Sequence, residues 1–89
     1  MVDLNAQYYH PYKDKGNIRT FLPNVDQEQL VWHRDREDRI IEVIKNTDWQ
    51  FQFDNELPQP LKTDLFIPKG VYHRLIKGSG ILKITIKKL

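Results

Sequence analysis

His33, Asp35 and His73 are the residues of this 89-residue sequence whose types and spacing could hold a metal ion. The first two lie in the charged stretch WHRDREDR, residues 32–39. If the chain is extended there, side chains alternate between faces. Val31, His33 and Asp35 then share one face, and Leu30, Trp32 and Arg34 the other. His-x-Asp on a strand is one edge of the two-His-one-carboxylate arrangement that binds divalent metals. The third ligand must come from elsewhere, and the chain has 3 histidines in all. His10 falls in a polar N-terminal stretch. His73 falls in IPKGVYHRLIKG, just after a Pro-Lys-Gly turn that would fix the direction of the strand carrying it. By the same parity Glu37 and Arg39 face the site, as an additional ligand or a substrate contact. Asp38 would replace Glu37 if a bulge shifted the register by one residue. Arg39 cannot ligate, because its charge is permanent; it could pair with Asp35 or orient an anionic substrate. Arg34 and Arg36 point to solvent.

These residues need strands to carry them, and the pattern is β nearly throughout. WQFQFD sets Trp49, Phe51 and Phe53 on one face against Gln50, Gln52 and Asp54 on the other. ILKITIKKL sets Leu82, Ile84 and Ile86 against Lys83, Thr85 and Lys87. RIIEVIK is apolar and β-branched, suited to a strand near a sheet centre or buried on both faces. IRTFL, QLVWH, LFIP and VYHRLI are further short strands. The segments LPN, KNTD, DNELPQP and GSG are turns between them. DQEQL has room for a single helical turn. Short strands at regular spacing point to a sandwich or a barrel, and a barrel leaves no open edge. Residues 1–17, with their tyrosines and prolines, read as a loosely structured arm that packs on the barrel or on a second subunit; residues 18–89 are the barrel domain.

Composition narrows the function classes. There are 14 basic and 12 acidic residues, a net charge of +2, so there is no strong electrostatic case for a nucleic-acid partner. Cysteine is absent, which excludes disulfides, thiolate metal sites and a cysteine nucleophile. No segment approaches the roughly 18 apolar residues of a spanning helix, and MVDLNAQYYHPYKDKG contains no apolar run of signal-peptide type. A soluble cytoplasmic protein with no membrane partner is expected. A domain this small buries only about 60–65% of its unfolded surface, so pairing into a homodimer would help it.

The chain resembles a small single-domain cupin of the RmlC-like superfamily over roughly residues 18–88. The second cupin motif is carried by IPKGVYH, with Pro68, Gly70 and His73 in place. In the first motif His33 falls on the first histidine, Asp35 on the second histidine, Arg39 on the glutamate and Asn46 on the closing glycine. Lys77 stands where the second motif has Asn, and its opening glycine is missing. WQFQFDNELPQPLK looks like the hairpin between the motifs. The resemblance implies an all-β double-stranded β-helix, or jelly-roll, barrel. It also implies a divalent metal, Fe, Mn, Ni or Zn, on His33, Asp35 and His73; no organic cofactor is expected. The function so implied is oxygenase- or isomerase-type chemistry on a small organic molecule. The loss of the glutamate and of several glycines leaves open a non-catalytic barrel that binds a ligand or supports an assembly. A 2-oxoglutarate oxygenase resembles the chain only in the His-x-Asp…His triad, with Lys83 as its later basic residue.

Overall fold

The computed structural model describes residues 11–62 and 64–89. His10 and the rest of the first ten residues lie outside them. Among the described residues eight strands run in chain order: β1 (Tyr12–Lys15), β2 (Ile18–Phe21), β3 (Arg39–Val43), β4 (Gln50–Phe53), β5 (Gln59–Pro60), β6 (Leu65–Ile67), β7 (His73–Ile76) and β8 (Leu82–Lys88). One 3-10 turn, Gln27–Gln29, is the helical turn that DQEQL allowed. The described residues contain no α-helix, and so none long and apolar enough to cross a membrane. The strands form a five-stranded sheet in the order β1-β2-β8-β3-β6 and a three-stranded sheet in the order β5-β4-β7. All pairings are antiparallel.

The two sheets enclose one core. Phe21, Ile41, Ile67, Leu82 and Ile84 come from the larger sheet, and Trp49 and Phe51 from the smaller sheet and its approach. The alternation of WQFQFD explains this directly. Trp49 and Phe51 are fully buried and Phe53 packs against the core, while Asp54 is exposed. Aromatic faces of this size contribute a large part of the burial energy of a small domain. The indole of Trp49 is satisfied as well, donating Nε1–H to the Gly80 carbonyl at 2.7 Å. In β8 the same alternation sends Leu82, Ile84 and Ile86 inward and Lys83 and Lys87 outward.

Three expectations need correction. Tyr12–Lys15, read as part of a loose arm, form β1 and pair with β2, with Gly16 at φ +63° in the tight turn between them. The lysines and aspartate of YKDK hide the strand, because an edge strand with one exposed face tolerates charge. QLVWH is not a continuous strand: residues 31–38 form an irregular crossing segment, with β-bridge pairing at His33 alone. Of the two places open to RIIEVIK, the interior one holds, β3 lying between β8 and β6, and burial on both faces does not, for Ile41 is core while Glu42 and Ile44 are exposed.

Candidate metal centre

His33 and His73 are held opposite each other by backbone pairing, their rings meeting edge to face at 63°. The N–H of His33 donates to the His73 carbonyl at 3.0 Å, and the N–H of His73 donates to the His33 carbonyl at 2.8 Å. This single bridge does the work expected of a longer strand. It keeps the chain extended at His33 and sets the two imidazole centroids 4.3 Å apart.

The turn before β7 is tied to the segment carrying Asp35. Gly70, at φ +77°, donates its N–H to the Asp35 carbonyl at 2.9 Å. A left-handed conformation there is easy only for a residue without Cβ. The N–H of Lys69 donates to Asp38 Oδ1 at 2.8 Å, so Asp38 serves the turn and not the site. The Pro-Lys-Gly sequence thus fixes His73 against Asp35 through the backbone.

Each ring is oriented from behind. Nδ1 of His33 lies 3.0 Å from the Val31 carbonyl, and Nδ1 of His73 lies 2.9 Å from the Val71 carbonyl. A carbonyl can only accept, so both Nδ1 atoms carry the hydrogen. In the neutral rings both Nε2 atoms therefore present lone pairs. Phe51 stacks on His73, with centroids 5.3 Å apart and planes inclined by 19°. Sequence reasoning missed these supports, since backbone carbonyls leave no mark in residue type.

Asp35 completes the cluster. Its Oδ2 lies 3.4 Å from Nε2 of His73 and, being buried, makes no hydrogen bond. A carboxylate oxygen and an imidazole lone pair thus confront each other in a nearly dry place. A proton on either atom, or a cation between them, removes that repulsion. Burial, above all, holds the His73 imidazole below its ordinary value of 6.5; His33 and Arg39 act in the same direction, while the Val71 carbonyl and Asp35 oppose them. The neutral ring is therefore favoured, and a neutral imidazole is the form that ligates. One donor atom from each of His33, Asp35 and His73 lies within 4.8 Å of the others. An orphaned buried carboxylate oxygen beside two oriented imidazoles is a donor set that fits a divalent metal.

The other candidates have different places. Arg39, at the start of β3, brings Nη1 within 3.3 Å of Asp35 Oδ1 and donates Nε–H to Glu37 Oε2 at 2.6 Å. Glu37 is turned to Arg39 and stands outside the three-residue cluster. Arg39 therefore sits behind Asp35, orienting the carboxylate while Oδ2 stays free. Lys83 is exposed on the outer face of β8, so it is not the inward basic residue that an oxygenase of the 2-oxoglutarate type would want. On the outer side of the smaller sheet, Arg74 lies over the ring of Trp32 at 4.6 Å and Arg34 over that of Tyr72 at 5.2 Å.

A cavity of about 480 Å³ opens beside the cluster, lined by both sheets. That volume suits a small organic ligand. Its walls include the apolar Phe21, Ile41, Phe51 and Ile67, and His33, Asp35 and His73 lie among its polar lining residues.

No family model matches the sequence, and no curated protein matches it. Solved structures do. A cupin-2 domain-containing protein from Shewanella frigidimarina superposes with a TM-score of 0.53 at 21% identity, covering 100% of this chain and 95% of that one. Protein NMB1881 from Neisseria meningitidis gives a TM-score of 0.53 at 15% identity, over 92% of this chain and 84% of that one. FeII HppE gives 0.60 at 14% identity, over 81% of this chain but only 40% of its own length. The fold is a cupin fold, small and all-β.

Proposed function

We propose that this protein is a cupin-fold metalloprotein that holds a divalent ion on His33, Asp35 and His73 and binds or transforms a small organic molecule in the adjoining cavity. The observation that carries the reading is the unsatisfied Asp35 Oδ2 facing Nε2 of His73 at 3.4 Å. A proton would quiet that pair alone; a metal would use it together with Nε2 of His33, which is open to solvent. FeII HppE, by its name an iron(II) protein, supports a transition metal in this fold.

When bound, such an ion would polarise a substrate oxygen or activate dioxygen at the positions the protein leaves open. The chain's own residues do the rest. The Val31 and Val71 carbonyls hold both imidazoles with Nε2 forward. Arg39 holds Asp35 by its other oxygen. Phe51 and its apolar neighbours exclude water and take up the body of the bound molecule. Oxygenation and isomerisation are both within reach of this arrangement.

The test is a nuclear magnetic resonance screen of small acids, alcohols and amides against the protein loaded with manganese(II). Compounds in the cavity should show strong paramagnetic relaxation that disappears in His73→Ala. A screen in which no compound responds to that substitution contradicts the reading.

A second reading is a non-catalytic barrel acting as a homodimer. It is favoured by apolar side chains on the outer face of the larger sheet, where Phe66 is 50% and Ile44 47% exposed. Sedimentation velocity on the parent and on Phe66→Lys separates a dimer through this face from a monomer.

A further inference from the structure

Among the described residues, three basic ones line the cavity beside the cluster: Arg19, Arg39 and Lys88. Two of them are already satisfied. Arg19 Nε is 2.8 Å from Asp14 Oδ1, and its guanidinium lies 3.8 Å over the ring of Tyr12. Arg39 is shared by Asp35 and Glu37. Lys88 differs. Continuing the alternation of Leu82, Ile84 and Ile86, Lys88 joins the cavity lining at the end of β8, where it is exposed to solvent. Its cross-strand partner on β3 is Arg39. Like charges at directly paired positions repel. Lys88 forms no ion pair or side-chain hydrogen bond with any described residue.

A divalent ion would sharpen the imbalance. Asp14 and Glu37 offset Arg19 and Arg39, and among the described residues Asp35 is the single acidic group in the lining. The ion's charge and that of Lys88 then exceed what Asp35 can balance. Within a half-enclosed, largely apolar space, uncompensated positive charge favours an anionic occupant. The apolar walls, with Phe21, Phe51, Ile84 and Ile86, call for a hydrocarbon body on the same molecule.

We propose that the cavity selects a small monocarboxylate with an apolar body and that Lys88 is the residue that holds its carboxylate. The inference deepens the proposed function and rests on it for whatever chemistry occurs at the metal. Lys88 is a specificity residue: its ammonium donates charge-assisted hydrogen bonds to the carboxylate, while the chain of the ligand lies along the apolar walls.

Calorimetric titration of the nickel(II)-loaded and metal-stripped protein with hexanoate and hexanamide tests this. Hexanoate should bind the loaded parent about tenfold more tightly than hexanamide, the difference one charge-assisted hydrogen bond makes. Lys88→Gln should cut that preference severalfold in the loaded protein and erase it in the stripped protein, without changing nickel content, and Lys88→Arg should restore it. Equal binding of the two probes, no binding of either, or a preference that Lys88→Gln leaves undiminished overturns the proposal. If the parent fails to take up nickel, the metal reading fails alone, and the Lys88→Gln comparison on stripped protein still decides the anion reading.

Discussion

Nε2 of His73 and Oδ2 of Asp35 stand 3.4 Å apart, with side chains only 5% and 7% exposed, and no described residue donates a hydrogen bond to that Oδ2. The Val71 carbonyl occupies the proton-bearing side of the ring, so the lone pair of Nε2 is directed at the carboxylate. The metal-free protein therefore carries an unfavourable contact at the centre of its site. Such contacts are costly in a low dielectric and persist where function requires them.

Asp35→Asn should separate stability from function. An asparagine amide can donate to Nε2 of His73 and remove the repulsion, while giving up the ion pair with Arg39. Leaving a buried group unsatisfied costs about 1–3 kcal/mol, so the two effects nearly offset. The thermal midpoint of the metal-free variant should equal or exceed the parent's, while metal uptake is lost. A variant that melts well below the metal-free parent would contradict this.

The metal-free protein should lose stability in mild acid. The folded-state pKa of His73 is lowered from 6.5, chiefly by burial. Above 6.5 neither state binds a proton there, and the group has no effect. As pH falls through 6.5 the unfolded chain takes up a proton that the folded chain resists, so unfolding is favoured. The loss levels off once the folded ring also protonates. Denaturant midpoints of parent and His73→Gln across pH 7.5 to 5 measure it, as a steeper acid slope in the parent. Parallel slopes would remove the cause assigned here.

Asp48 should support the acid limb further down. It accepts the N–H and the hydroxyl of Ser79, and these bonds lower its pKa from 3.8. The stability it contributes is present above 3.8 and is lost as pH falls below that value through the folded pKa. Asp48→Asn should flatten the pH dependence below pH 4. A carboxyl signal that titrates at the ordinary position would count against it.

Gly78→Ala tests the packing of the same turn. A Cβ at this position would collide with the Asp48 carboxylate and crowd its backbone carbonyl carbon. Overpacking of this kind costs about 1–3 kcal/mol. The midpoint should drop by several degrees, since 1 kcal/mol shifts a domain of this size by about 4–8 °C. An unchanged midpoint would mean that the turn shifts freely.

The parts of this fold that could be read in advance are those where alternation does the positioning. WQFQFD and ILKITIKKL declare their inner faces outright, and the core residues Trp49, Phe51, Leu82 and Ile84 follow. Pro68, Gly70 and His73 were legible because a turn at that spacing has one mechanical use. The segment around Asp35 was harder. His33 and Asp35 do converge, but through one backbone bridge and the Gly70–Asp35 hydrogen bond. β1 was hidden by its charges. Arg39 and Glu37 have the inward parity that alternation suggests, yet they pair with each other, and tertiary contacts alone decide that. Lys88 could have been found: it has the parity of Leu82, Ile84 and Ile86 and lines the cavity, whereas Lys83 has the opposite parity and does not.

The most direct measurement is the elemental content of the purified protein by mass spectrometry, beside His33→Ala, Asp35→Ala and His73→Ala. The parent, as isolated or after anaerobic reloading with iron(II), should hold close to one equivalent of iron, manganese, nickel or zinc, and each variant should lose it. A folded parent that retains no metal after reloading, or variants that retain as much as the parent, would contradict the metal centre.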